Sequence, residues 1–325
     1  MKIWLIGSGK ILVVFMLLTK ATIAEYNNSE VLVIPWGQGT NELNIEEPYL
    51  DAVYVTEDST RDKLFPSGGP HFCFVDNNDN YYFASYLLSY LKGFRYNGQE
   101  FLDFSTGHSE HDTSVFLGGT TNIFVDSDGI IYIGSNRPFA TMTNENGEFL
   151  GRLNPLGEES DEPSDLIFYN FDGEIIFDTW YHGLYKYKNG EFTEGGYDAW
   201  KASDGYYYDG WIQDESSFLF IKFQEVESVD TFYVSFDGAL LSGGLLGIDE
   251  NDQFFMQISE SPDTISSILV YDNNFTEIDR FELLPQLENQ YLWYVHNSPF
   301  LRGDGNVYQF LCEDDGMHVI KWSKE

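Results

Sequence analysis

The sequence predicts an all-β fold, and three observations support that prediction. Short apolar runs are interrupted again and again by acidic or Asn-containing turns. Asn-Gly and Asp-Gly pairs, which are typical of tight hairpins, follow many of these runs. Aromatic residues make up 17% of the chain, with 27 Phe and 22 Tyr, so enough apolar side chains are present for a sizeable core.

The first repeated element is an apolar strand, an acidic turn and a second apolar strand. FVDSDGIIYI at residues 124–133 is a clear example, with its turn at Asp128. The corresponding turn residues are Asp79, Asp128, Asp172, Asp214, Asp252 and Asp304. Their spacing is close to the roughly 40–50 residues that separate the blades of a β-propeller. The repeat therefore predicts blades that each begin with a hairpin.

The second repeated element is another hairpin after each of the first five acidic turns. Its predicted turns are Asn97-Gly98, Asn146-Gly147, Asn189-Gly190, Asp237-Gly238 and Asn273-Asn274. Two-residue turns of this kind need positive φ at both central residues, which Gly and Asn tolerate. Two hairpins in succession give a four-stranded antiparallel blade.

The last unit has three strands, and the missing strand is expected from the start of the chain. Residues 29–36 (SEVLVIPW) resemble a strand that has no partner of its own. We therefore predict a single six-bladed β-propeller over residues 25–325, closed by this N-terminal strand. Closure would bury two sheet edges that could otherwise promote aggregation.

Two turn assignments have alternatives. Ala202-Ser203-Asp204-Gly205 competes with Asp214 for the first turn of the fourth blade, and Asp214 is favoured because it evens the spacing. Asp126 and Asp128 could bind calcium, but the loop lacks the further ligands and closing Glu of an EF-hand. A structural turn, in which Asp128 accepts backbone hydrogen bonds, is the favoured interpretation.

Residues 1–24 have the pattern of a secretory signal peptide. Lys2 and Lys10 precede an apolar run at residues 11–18, and Thr22-Ile23-Ala24 offers small residues for cleavage. The run is shorter than the roughly 20 residues of a membrane-spanning helix, although an uncleaved anchor is the alternative. We expect an extracytoplasmic protein, periplasmic or secreted, that is not held at the membrane after cleavage.

The formal charge of −36 argues against nucleic acid and anionic lipid as partners, because a polyanionic surface repels phosphate groups. Acidic residues spread along the chain favour solubility as their role, with attraction of cations as the alternative. The two cysteines, Cys73 and Cys312, fall in the first and last blades, and the sequence leaves open whether they form a disulfide.

The blade motifs resemble bacterial six-bladed β-propellers related to NHL repeats. The resemblance rests on residues 36–39 (WGQG), on Gly69-Pro70, and on the repeated pattern F-x-V-D-x-x-G-x-x-Y followed by F-x-x-x-G-x-F/L. It implies the architecture over most of residues 30–325 and leaves function open, because the family includes binding and scaffold proteins. Its distant relatives include calcium-dependent gluconolactonases.

Candidate site residues fall in loops expected at one mouth of the central channel. Arg137 could hold an anionic ligand, and Trp180 with His182 could contact a sugar or peptide, although local ion pairs and packing between blades are the alternatives. Four polar residues at the entries to inner strands could hold calcium or, alternatively, ordered water: His71, Asn122, Asp165 and Asn297. Residues 107–112 (GHSEHD) could ligate zinc or form a solvated loop.

The favoured function is a non-enzymatic binding or scaffold module for a protein or carbohydrate partner. The alternative is a metal-dependent hydrolase of lactonase type, with a metal-activated water at the same channel mouth. No complete set of metal ligands and no nucleophile motif can be recognised in the sequence, so no residue is assigned a catalytic role.

Overall fold

A computed structural model gives the structure of the chain. It describes residues 26–37, 40–43, 70–85, 90–104, 120–135, 139–157, 164–170, 173–179, 182–195, 198–224, 227–261, 266–285, 299–313 and 315–324. All regular elements in these residues are β-strands, in agreement with the all-β prediction. None of the described segments is a helix long and apolar enough to cross a membrane. The predicted signal peptide at residues 1–24 lies outside the described residues.

The strands form antiparallel units of four. Strand β1 covers Tyr26–Pro35. Unit I contains β2 (Phe72–Val75), β3 (Tyr81–Ser85), β4 (Tyr90–Phe94) and β5 (Glu100–Phe104). Unit II contains β6 (Thr120–Val125), β7 (Ile131–Ser135), β8 (Ala140–Thr143) and β9 (Phe149–Leu153). Unit III contains β10 (Ser164–Asn170), β11 (Glu174–Thr179), β12 (Gly183–Lys188) and β13 (Glu191–Glu194).

The next eight strands form one sheet with two halves. Unit IV contains β14 (Trp200–Lys201), β15 (Tyr207–Asp214), β16 (Ser217–Gln224) and β17 (Glu227–Ser235). Unit V contains β18 (Ala239–Ile248), β19 (Phe254–Ser261), β20 (Ser266–Tyr271) and β21 (Glu277–Glu282). A single residue pair between β15 and β18, Trp211 opposite Gly244, joins the two halves.

Unit VI combines the first described strand with the last ones. It contains β22 (Phe300–Leu301), β23 (Val307–Glu313) and β24 (Gly316–Lys324), with β1 as its outer strand. Strand β1 runs antiparallel to β24 from Tyr26 opposite Lys324 to Pro35 opposite Gly316. The Tyr26 hydroxyl also donates a hydrogen bond to the Gly305 carbonyl at 3.0 Å. The unpaired N-terminal strand of the sequence therefore has its partner in β24.

The first hairpin of every unit uses the same turn. In each turn the fourth residue has positive φ and donates its N–H to the carbonyl three residues earlier. The fourth residues are Asp79, Gly129, Gly173, Gly205, Asp252 and Gly305. A positive φ at this position costs little for Gly and is tolerated by Asp. The repeat seen in the sequence is thus a repeat of backbone geometry.

The prediction for the fourth unit is wrong by one hairpin. Its first turn is residues 202–205, where the Gly205 N–H bonds to the Ala202 carbonyl at 3.0 Å. Asp214 lies at the turn between β15 and β16, opposite Ser217. The same shift affects Asp237-Gly238, which connects β17 to β18 in the next unit and closes no hairpin. The prediction relied on even spacing between turns. It missed the true turn because β14, the strand before that turn, is only two residues long and leaves little apolar sequence to recognise.

The second hairpins also differ from the prediction. At Asn189-Gly190 both residues have positive φ, as expected for a two-residue turn. Three other described second hairpins each have one turn residue with positive φ: Gly98, Gly147 and Phe275. In each of these turns the carbonyl of the first residue accepts the N–H of the fourth residue, and the N–H of the first residue donates to the carbonyl of the fifth. That pattern is a type I turn with a bulge. Phe275 accepts this unusual conformation because its ring stacks on Phe232, with centroids 4.2 Å apart.

The acidic residue that organises the turn of FVDSDGIIYI (residues 124–133) is Asp126, and the prediction that Asp128 accepts the backbone hydrogen bonds there is wrong. Asp126 Oδ1 accepts hydrogen bonds from the N–H groups of Asp128 and Ile130, both at 2.9 Å. Asp126 Oδ2 accepts the Tyr132 hydroxyl at 3.0 Å. Asp76 has the same pattern with Asn78, Asn80 and Tyr82. Because protein donors engage both oxygens, this carboxylate acts as a structural element of the turn.

Apolar clusters fill the spaces between neighbouring units. One cluster joins units I, II and III, a second joins units VI and I, a third joins units V and VI, and a fourth joins units IV and V. The inner strand β3 is buried on both faces, as expected for a strand between two packed neighbours. Units III and IV meet through polar contacts, in which the Tyr207 hydroxyl and the Lys201 ammonium both reach Glu174, at 2.6 and 3.2 Å.

Candidate functional site

The units have two different ends. The turn end carries the first-hairpin turns, and hydrogen bonds link the turns of adjacent units there. Ser203 N–H donates to Asp252 Oδ1 at 2.7 Å, and Glu250 N–H donates to the Gly303 carbonyl at 2.8 Å. The loop end carries the connections between second and third strands and those from one unit to the next. The turn end is thereby fixed by its own hydrogen bonds, whereas the loop end holds the candidate site residues.

In the sequence, the three predicted ligand-binding residues follow second strands of their units. His182 lies between β11 and β12 and is exposed. The neighbouring Gly183 carbonyl accepts a hydrogen bond from Thr179 Oγ1 at 2.7 Å, which fixes the end of this connection. Arg137 and Trp180 fall in the connections after β7 and β11 and lie outside the described residues. Their role in binding therefore stays a prediction.

Three of the four predicted metal ligands are among the described residues, at or near the starts of first strands. His71 precedes β2 and is buried, with Ser85 Oγ 3.3 Å from its Nδ1 atom. Asn122 on β6 is half-buried, and its Oδ1 accepts the Ile123 N–H at 2.9 Å. Asp165 on β10 is opposite Asp178 on β11. Strand β6 neighbours both β2 and β10, so the three positions occur on adjacent strands.

Asn297 and residues 107–112 lie outside the described residues. Within the described part of the chain, no group of three or more His, Cys, Asp or Glu side chains is arranged to hold a metal ion. The predicted ligand set and the predicted zinc loop both stay predictions.

An acidic cluster that the sequence analysis missed lies where unit III meets unit IV. Burial, followed by the negative charges of Asp209 and Asp178, raises the pKa of the Asp198 carboxyl above its ordinary value. Burial also raises the pKa of Asp209, and the Gly210 N–H partly offsets this effect. The three residues come from β11, from the segment before β14 and from β15. In a chain with 53 acidic residues, no spacing signal distinguishes these three from the others.

A second group of polar residues lines a cleft of about 340 Å³ beside β1 and β24. His318 lies between two carboxylates, with Nδ1 2.7 Å from Glu30 Oε2 and Nε2 2.8 Å from Asp315 Oδ1. Leu284, Leu311 and Ile320 supply the apolar part of its wall. The contacts join β1 to the start of β24, which gives this group a clear structural role.

The comparisons with known proteins support the fold. No family model matches the chain, and no curated protein matches it either. The solved structures similar to it are β-propeller proteins, as the blade motifs predicted. A member of the DUF4221 family from Bacteroides vulgatus is similar over 93% of this chain and 99% of its own, with a TM-score of 0.50 and 12% identity.

Two other solved structures are less similar. Regucalcin from Agrobacterium tumefaciens, described as a calcium-binding protein, has a TM-score of 0.45 and 12% identity, over 79% of this chain and 91% of its own. Virginiamycin B lyase from Staphylococcus aureus has a TM-score of 0.40 and 10% identity, over 77% and 83%. Similarities this weak transfer neither a site nor an activity to this chain. The chain is thus an all-β protein with the fold of its β-propeller neighbours.

Proposed function

We propose that this protein is an exported six-bladed β-propeller closed by its N-terminal strand. Support comes from the units of four strands, from the place of β1 beside β24, and from the contact of unit VI with unit I through a shared apolar cluster. The signal peptide pattern of residues 1–24 supports export to the periplasm or the medium. In this architecture each unit is one blade.

The function that this architecture supports best is a non-enzymatic binding or scaffold module. The observation that carries the proposal is the difference between the two ends: hydrogen bonds tie the turns together, while the loop end carries the exposed His182 and the longer connections. Rigid scaffolds with variable loops at one end commonly bind partners there. Arg137 supplies a planar charged fork and Trp180 a large aromatic surface, the residue types that dominate binding energy. The partner would be a protein or a carbohydrate.

The experiment is a selection followed by substitution. A random peptide library and a panel of neutral oligosaccharides are screened against the mature protein, and the tightest binder from each is measured by calorimetry. Arg137→Ala, Trp180→Ala or His182→Ala should each weaken the relevant binder by about tenfold, as expected for a hot-spot residue. Tyr96→Ala is the matched control, because Tyr96 is exposed in a turn between β4 and β5 at the opposite end. Binders that none of the three substitutions weakens would contradict the proposed face.

A metal-dependent hydrolase is the second candidate, and one observation favours it. Burial and the charges of Asp209 and Asp178 raise the pKa of Asp198, and Asp178 is the cross-strand neighbour of Asp165, one of the predicted ligands, although these three carboxylates alone are not arranged to hold a metal ion. A bound cation would stabilise the charged form of carboxylates whose pKa is raised. Calcium would suit the oxygen ligands, with His71, Asn122 and Asn297 as further candidates. Turnover of a sugar lactone that EDTA abolishes and calcium restores would establish this function and overturn the first.

A further inference from the structure

Strand β17 is a long and exposed outer strand. It has nine residues, close to the ten of β1, whereas the outer strands β5, β9, β13 and β21 have between four and six. Seven of its nine residues are exposed, and Phe232 and Val234 are half-buried. Among the described strands it pairs with β16 alone, so its other edge presents backbone N–H and C=O groups.

One face of unit IV is aromatic beside this edge. Trp211, Leu219 and Tyr233 stand directly opposite one another on β15, β16 and β17. Directly opposite residues share a face of the sheet. Leu219 is buried between them, while Trp211 is 40% exposed and Tyr233 is 65% exposed. Space also remains beside Trp211, because a Cβ added at its neighbour Gly244 would meet no atom within 4 Å.

The other face of the same edge is acidic near the start of β17, whereas Phe232 and Val234 further along that face pack against unit V. Asp230 is opposite Lys222, so it lies on the face away from Tyr233, and Glu227 opposite Gln224 lies on that face too. Both carboxylates are on exposed residues. The Lys222 ammonium is engaged by Asp204 Oδ2 at 2.8 Å, so it does not neutralise them. An incoming strand would therefore meet an aromatic surface on one face and, beside Glu227 and Asp230, negative charge on the other.

We propose that β17 accepts an extended segment of a basic protein partner as an additional strand, with apolar side chains alternating with Lys or Arg. Side chains of a strand alternate between its faces, so this pattern places apolar groups beside Tyr233 and cations beside Asp230 and Glu227. Backbone hydrogen bonds to the free edge supply affinity, and the alternating side chains supply specificity. The charge of −36 attracts such a partner over a longer range. These residues are separate from Arg137, Trp180 and His182, so this surface stands independently of the proposed function.

The probe is a ten-residue peptide of alternating Lys and Val, labelled for fluorescence anisotropy. Two peptides serve as controls: one with Glu in place of Lys, and one with Pro in place of two central Val residues. Pro cannot donate to a ladder and is poorly accepted within a strand. We expect the Lys–Val peptide to bind and each control peptide to bind at least about tenfold more weakly, the scale of a lost hot spot. A Pro peptide that binds equally well would overturn strand addition.

Protein variants then locate the surface. Tyr233→Ala and Trp211→Ala should each weaken the Lys–Val peptide by about tenfold, and Asp230→Lys should weaken it while improving binding of the Glu–Val peptide. Circular dichroism would reveal whether Trp211→Ala unfolds the unit. In that case Asp230→Lys, which changes an exposed residue, still tests the proposal. Tyr96→Ala is the matched control, since Tyr96 is 70% exposed on unit I. Failure of the Lys–Val peptide to bind would overturn the proposal, and so would equal binding of this peptide to all variants. The proposal would also be overturned if a neutral oligosaccharide, and not the Lys–Val peptide, bound in a way that depends on Trp211.

Discussion

Arg302 in the first turn of unit VI donates a hydrogen bond from Nη1 to Asp79 Oδ1 in the first turn of unit I, at 2.6 Å across 223 positions of sequence. The same Nη1 reaches the Asp76 carbonyl at 3.0 Å, and Nη2 reaches Asp304 Oδ2 at 2.5 Å. The guanidinium therefore ties the last unit to the first at the turn end.

Replacing Arg302 with Ala should lower the free energy of unfolding by about 2 kcal/mol, because charged hydrogen bonds of a buried group are lost. The Asp79 and Asp304 side chains are more than 40% exposed, so solvent limits the effect. Urea unfolding measures it. Arg280→Ala is the matched control: Arg280 is 40% exposed beside Glu277 and should cost less than about 1 kcal/mol. If both variants lost the same free energy of unfolding, the hydrogen bonds of Arg302 to the turn of unit I would stabilise the protein no more than an exposed ion pair does.

Deleting residues 25–36 should destabilise the whole fold, because unit VI would lose its outer strand and β24 would become an exposed edge. A melting temperature equal to that of the intact protein would contradict closure by β1. Point variants give a finer test. Ile34 is 1% exposed and Val33 is 38% exposed, so Ile34→Ala should cost about 2–4 kcal/mol and Val33→Ala less than about 0.5 kcal/mol.

Both cysteine thiols should be in the reduced form and slow to react in the folded protein. Cys73 and Cys312 form no disulfide in the structure. Burial raises the pKa of Cys312 to about 12 and raises that of Cys73 as well, so few thiolates form at pH 8. Titration with a thiol reagent at pH 8 should be slow in buffer and should count two thiols at once in denaturant. A count of zero in denaturant without reductant would establish a disulfide instead.

The contact of His318 with Glu30 and Asp315 should make stability depend on pH. Burial lowers the pKa of His318, but the hydrogen bonds to the two carboxylates outweigh it and leave the pKa above 6.5. A raised pKa in the folded state means that the stabilisation is complete below about pH 6.5 and is lost as the pH rises through the folded value. The wild type should exceed His318→Gln in unfolding free energy by more at pH 6 than at pH 9. A difference that grows with pH would refute this coupling.

Export should remove residues 1–24. When the full chain is produced in a bacterial host, the periplasmic or secreted protein should begin at Glu25, because Thr22 and Ala24 suit signal peptidase. N-terminal sequencing measures this, and Ala24→Arg should block the cleavage. Intact Met1 on a soluble cytoplasmic product would contradict export.

The repeat was predictable because its turns use Gly, Asn and Asp at positions with positive φ, and these residues are visible in the sequence. Gly129 and Gly305 carry that signal directly. The fourth unit was misassigned because a two-residue strand before Ala202 leaves almost no apolar run to recognise. Phe275 shows the limit of turn chemistry, since packing against Phe232 overrides the backbone preference of a bulky residue.

The candidate site was less predictable for a different reason. Asp198 is affected by the charges of Asp209 and Asp178, which lie on two other segments, so this effect depends on how units III and IV pack. Side chains such as Arg137 could be recognised as unusual in an acidic chain, but their neighbours depend on loops. The turns can be predicted from local sequence, whereas the candidate sites depend on contacts between segments that are far apart in the sequence.

The pairing of Tyr26 with Lys324 also sets the order of events during synthesis. The strands of each of units I to V are contiguous in the sequence, but β1 must wait for β24, almost 300 positions later. Contacts of such long sequence separation form slowly. Until β24 has been synthesised, β1 has no partner strand. During this interval a translocation machine or chaperone can bind the chain and keep unit VI from closing.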